Sequence, residues 1–140
     1  MSAMYTLCNQ TVTVYNAVKV GAEPTYRKTV FVGSAFLDLS RQWKGDEKGT
    51  AASDFLLVVP QGACELEFVP PITFAELADK SGKWTLAKND KVLLGEGADV
   101  ADATAWAALI PAKVDNLVVI GRVEPCRGLD GAIAHIEAGS

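Results

Sequence analysis

Thr25-Tyr26-Arg27-Lys28-Thr29-Val30-Phe31-Val32-Gly33-Ser34-Ala35-Phe36-Leu37-Asp38-Leu39 is the longest run of strand chemistry in the chain. β-branched and aromatic residues dominate it, and no proline interrupts it. A pleated backbone puts Tyr26, Lys28, Val30 and Val32 on one face and Arg27, Thr29 and Phe31 on the other. Beyond Gly33-Ser34 the alternation restarts, with Ala35, Leu37 and Leu39 facing away from Phe36 and Asp38. A glycine inside such a pattern marks a bulge or bend. A strand bent in this way lets a small sheet curl, so the stretch points to a barrel.

The neighbouring segments extend that reading. Tyr5 to Val18 alternates as a first strand, and Val20-Gly21-Ala22-Glu23-Pro24 supplies a turn into the second. The two are expected to form an antiparallel hairpin with a connection longer than a tight turn. Phe55-Leu56-Leu57-Val58-Val59 is apolar on both faces, as a central strand requires. Glu65 to Val69 is expected to be a short strand. Thr73-Phe74-Ala75-Glu76 has capping-box spacing and predicts a short helix to about Asp79. Trp84-Thr85-Leu86 and Lys91-Val92-Leu93-Leu94 read as two strands around Lys88-Asn89-Asp90. Asp99 or Asp102 can cap a helix through Ile110, whose Val100, Ala103, Trp106, Ala107 and Ile110 form one apolar stripe. Leu117 to Glu124, stopped by Pro125, and Ala132 to Glu137, entered through Asp130-Gly131, are the last strands. The expectation is a mainly β fold, a small antiparallel β-barrel with one or two short helices, forming one domain over residues 1–140.

Composition narrows the function classes. The chain has 140 residues, 49% hydrophobic and 21% charged, enough for a core without staples. A net charge of -4 argues against binding nucleic acid by bulk charge. The scattered cysteines Cys8, Cys64 and Cys126 make neither a CxxC pair nor a disulfide framework, which suggests a reducing compartment. No signal peptide is expected at the N-terminus, and no apolar run reaches the roughly 20 residues of a membrane helix.

Chemistry is sparse. His135, the single histidine, lies on an alternating strand without an evident activating partner. The spacing of Cys8, Cys64, Cys126 and His135 gives no support for a zinc site. Gly95-Glu96-Gly97 lacks the Lys-Ser/Thr of a phosphate loop. No catalytic, cofactor-binding or metal-ligating residues are assigned, and the chain is read as no enzyme.

Contact is better supported. Residues 39–53 form a polar stretch expected to be a mobile loop, with Trp43 among Arg41, Lys44, Asp46, Glu47 and Lys48. Trp43 can fold back over the barrel mouth or anchor a contact, since tryptophan is enriched at interface hot spots. The basic residues can form a solvated face or meet an acidic neighbour. Arg41, Trp43, Lys44, Lys48 and the adjoining Phe55 are the candidates for an interface or a channel lumen. For Phe55 to Val59 the continuous hydrophobicity favours core over contact.

Several segments together resemble the small head–tail joining proteins of tailed bacteriophages and prophages, called minor capsid, head-completion or head-closure stopper proteins. They are Val12-Thr13-Val14-Tyr15-Asn16, Tyr26-Arg27-Lys28-Thr29-Val30-Phe31-Val32-Gly33, Lys83-Trp84-Thr85-Leu86, Asp90-Lys91-Val92-Leu93-Leu94-Gly95 and His135-Ile136-Glu137-Ala138. The resemblance implies a β-barrel with inserted loops and a structural role in the virion neck. The subunit would form a homo-oligomeric ring, with portal or adaptor proteins above, tail or neck proteins below and double-stranded DNA passing through the channel. It would use no cofactor, contact no membrane, and be made in the host bacterial cytoplasm. The alternative is a small β-barrel enzyme or ligand-binding protein using His135 or a carboxylate pair.

Overall fold

The computed structural model describes residues 7–20, 23–39 and 55–140. Arg41, Trp43, Lys44 and Lys48, with the loop they belong to, lie outside the described residues. β1 (Gln10–Val20) and β2 (Glu23–Asp38) form the expected antiparallel hairpin. Pairing continues to Val20 opposite Glu23, so the connection is tighter than the sequence suggested. β2 stays one strand through Gly33. There φ is +61°, and Val32-Gly33-Ser34 stands opposite Thr11 alone. Glycine enters this left-handed region without the Cβ penalty of other residues.

β3 (Leu56–Pro60) pairs with β2, and β4 (Glu67–Phe68) follows a single 3-10 turn at Ala63–Glu65. Helix α1 (Pro71–Glu76) precedes β5 (Lys83–Trp84) and β6 (Lys91–Leu94). Helix α2 (Ala103–Ala108) precedes β7 (Leu117–Val119), β8 (Arg122–Arg127) and β9 (Ile133–Gly139). Seven strands make one antiparallel sheet in the order β7-β6-β1-β2-β3-β9-β8, with the apolar β3 an internal strand between β2 and β9. β4 and β5 form a separate parallel pair.

The sheet curls into a half-barrel, and its two outermost strands, β7 and β8, are joined only through Ile120-Gly121. Gly121 N–H donates to Gly139 O at 2.8 Å. A Cβ on Gly121 would come within 2.5 Å of the Ser140 carbonyl carbon, so only glycine permits this approach.

One face of the sheet buries Val12, Val14, Phe31, Leu37, Leu57, Val59, Val92, Ile136 and Ala138. The connection between β3 and β6 fills that face. Trp84 meets Phe31 edge-on at 4.8 Å and Phe68 at 5.2 Å between ring centroids. Burying each such large side chain contributes about 1.5–3 kcal/mol. The other face of β1, β2 and β6 is covered by the segment around α2. Thr13 Oγ1 donates to Gly95 O at 2.7 Å, Tyr15 Oη to Ala98 O at 2.7 Å, and Lys91 Nζ to Trp106 O at 2.7 Å. That cover explains why polar residues on β1 and β6 are buried.

Several boundaries differ from the sequence reading. α1 starts at Pro71 with no side-chain cap, so the Thr73–Glu76 pair falls inside the helix. Proline is preorganised for the first helical position and takes that place. α2 is shorter than expected, although Asp102 caps it by accepting from Ala105 N at 2.8 Å. β5 pairs with β4 and not with β6. Thr85 and Leu86 turn into the interior, and Asp90 holds the bend by accepting from Ala87 N at 2.8 Å. The expected strand through Leu117–Glu124 is divided at Gly121. Pro125 does not end β8, because β8 is an edge strand and tolerates a residue with no N–H.

Candidate functional site

The sequence candidates separate in space. Phe55 is 2% exposed and packed in the main core. Cys64 sits beside the β2 bulge, where its sulfur accepts from Val32 N at 3.2 Å and lies 3.0 Å from Ser34 Oγ. Cys126 and His135 come together, and they bring Glu137 with them.

The pairing of β8 with β9 explains this. Cys126 stands opposite His135, and the two-residue repeat of a strand puts Glu137 on the same face as His135. Ala134 is the extra residue of a bulge where Cys126–His135 gives way to Arg127–Ile133. Bulges re-aim side chains and recur beside functional sites. The Cys126 thiol donates to Glu137 Oε2 at 2.9 Å, and His135 Nε2 lies 3.1 Å from the same oxygen. The three potential ligand atoms all fall within 4.8 Å of one another.

This face is opposite the main core, since Ile136 and Ala138 point the other way. A cleft of about 240 Å³ adjoins it, lined by Leu7, Cys8, Phe36, Leu56, Val58, His135 and Glu137. Leu7 and Cys8, just before β1, therefore help to wall the cluster in. Burial pushes the Cys126 thiol up, the hydrogen bond to Glu137 and the charges of Glu137 and Glu124 push it further, and it reaches about 11. The same thiol, then His135, holds the Glu137 carboxyl below its usual range. Cys8 is also raised by burial. A nucleophilic cysteine needs the opposite environment, one that favours thiolate.

A second polar cluster lies at the end of β1. Asn16 Nδ2 donates to Asp90 Oδ2 at 2.7 Å and to Thr85 O at 2.9 Å. Asn16, Thr85 and Asp90 also line a cleft of about 200 Å³ with Pro71, Ile72 and Ala75 of α1. Burial raises the Asp90 carboxyl despite hydrogen bonds from Asn16, Ala87 and Ala17. These hydrogen bonds tie β1 to the β5–β6 connection.

The missed grouping had a sequence signal. A hairpin folded symmetrically about Asp130-Gly131 sets Cys126 opposite His135, and His135-x-Glu137 has strand spacing. Ending the strand at Pro125 hid it. No helix among the described residues is long and apolar enough to cross a membrane. No curated protein and no solved structure matches the chain. A family model described as a family of unknown function, DUF6751, does match, over residues 6–140, and the chain belongs to that family.

Proposed function

We propose that this protein is a structural subunit of the bacteriophage head–tail connector, forming a ring below the portal or adaptor that closes the DNA channel and receives the tail. The reading begins with the resemblance of five segments to head–tail joining proteins. The observation that carries it is where those segments lie in the fold and where the chain leaves and re-enters the sheet. The resembling residues lie on or directly beside β1, β2, β5, β6 and β9. Asp38 of β2 is paired with Leu56 of β3, so the chain carrying Arg41, Trp43, Lys44 and Lys48 leaves and re-enters the sheet at adjacent positions. A charged segment inserted between two paired strands suits contact with a neighbouring subunit or with the channel. The net charge of -4 suits a wall past which DNA slides, because like charge repels phosphate.

The rival reading, a small enzyme or ligand-binding protein, would draw on Cys126, His135 and Glu137. The raised thiol weakens its nucleophilic version.

Trp43→Ala tests the connector reading. Folding stability is expected to change by no more than about 0.5 kcal/mol, the range of peripheral substitutions. Incorporation into particles is expected to fall as contact affinity drops by about 2 kcal/mol or more, the loss typical of a hot-spot tryptophan. Thermal denaturation of the isolated protein and quantitation in purified particles give the two readouts. A large fall in melting temperature with normal incorporation would contradict the proposal.

A further inference from the structure

We infer that Cys126, His135 and Glu137 form a zinc site, with the three side chains as ligands and water in the fourth position, facing the cleft beside Cys8. The inference goes beyond the connector reading and does not depend on it.

The donor set argues for the metal. One sulfur, one imidazole nitrogen and one carboxylate oxygen suit a borderline-soft divalent cation, whereas magnesium and calcium prefer oxygen alone. Zinc–ligand distances near 2.0–2.3 Å place the ligands of a tetrahedral site roughly 3.3–3.8 Å apart. Here two of the separations are 2.9 and 3.1 Å, and all three atoms lie within 4.8 Å. Side-chain shifts of about an ångström or less convert one arrangement to the other.

The scaffold argues for the site as well. His135 and Glu137 are fixed by one strand, and Cys126 by its direct cross-strand pairing. None of the three depends on a loop, and sites on strands are held more accurately than sites on loops. Without metal, a proton lies between the Cys126 sulfur and the Glu137 carboxylate. Zinc takes its place: a Zn–S bond forms, the S–H bond breaks, and the proton leaves to solvent. The apolar walls of the cleft, Phe36, Leu56 and Val58, then limit access to the fourth position.

The test uses the reduced full chain and cobalt(II) as a spectroscopic probe of a zinc site. One equivalent of cobalt should give a thiolate-to-metal charge-transfer band and d–d bands of tetrahedral intensity, and one equivalent of zinc should remove both. Cys126→Ser should abolish the charge-transfer band. His135→Ala and Glu137→Gln should each weaken zinc binding at least tenfold by calorimetry. Cys64→Ser should leave the band intact. Circular dichroism of each variant shows that the fold persists. If Cys126→Ser does not fold, the zinc affinity of Glu137→Gln decides between a site and none, and an unchanged affinity would overturn the inference. Millimolar binding without a charge-transfer band would also overturn it. So would a band that survives Cys126→Ser and disappears with Cys64→Ser or Cys8→Ser.

Discussion

Trp84→Ala is expected to lower unfolding free energy by about 3–5 kcal/mol, and the melting temperature by roughly 10 °C or more. Trp84 is 1% exposed and joins Phe31 of β2 to Phe68 of β4, so it couples the curled sheet to the connection that fills it. Truncation removes both ring contacts and leaves a cavity beside Phe31 and Phe68 in the main core. Trp84→Phe keeps most of the apolar contact and should cost clearly less. Urea unfolding monitored by circular dichroism gives both values. A loss below about 1 kcal/mol for the alanine variant would show that the interior filling is not what stabilises the half-barrel.

Asp90→Ala is expected to cost roughly 2–4 kcal/mol, because it strips an acceptor from Asn16 Nδ2 and from Ala87 N inside the fold. The pH dependence follows from the direction of the Asp90 shift. Burial raises the folded-state carboxyl above its value in the unfolded chain. Its contribution is therefore fully present below the ordinary aspartate range near pH 4, and is lost as pH rises through the raised folded value. The advantage of the native protein over Asp90→Ala should be largest in acid and shrink as pH increases. Unfolding free energies measured for both proteins across a pH series check this. An advantage that grows with pH would mean that the amide donors outweigh desolvation.

The strands were legible because their chemistry is local. Alternation in β1 and β2, and the two-sided hydrophobicity of Phe55 to Val59, depend only on which faces a strand presents. Gly33 marked the bulge for the same reason. The pairing of β4 with β5 was not legible, since a parallel pair of two residues each leaves no periodic signal. The start of α1 was misread because Pro71 at the first helical position outweighs a capping box two residues later. Burial of Thr13, Tyr15 and Lys91 depends on the segment that crosses them, a tertiary effect absent from their own pattern. The Cys126–His135–Glu137 grouping was readable only by letting a proline stay within an edge strand. Trp43 and its charges were read from composition alone, and they lie outside the described residues.

The connector proposal is tested most directly by electron microscopy of purified particles of a phage that encodes this chain, with a parallel particle in which the gene is deleted. The expected result is a ring of density directly below the portal or adaptor into which the seven-stranded half-barrel fits. That ring should be missing from the deletion particle, which should fail to retain DNA or join tails. Infectious particles with an unchanged neck in the deletion strain would contradict the proposal.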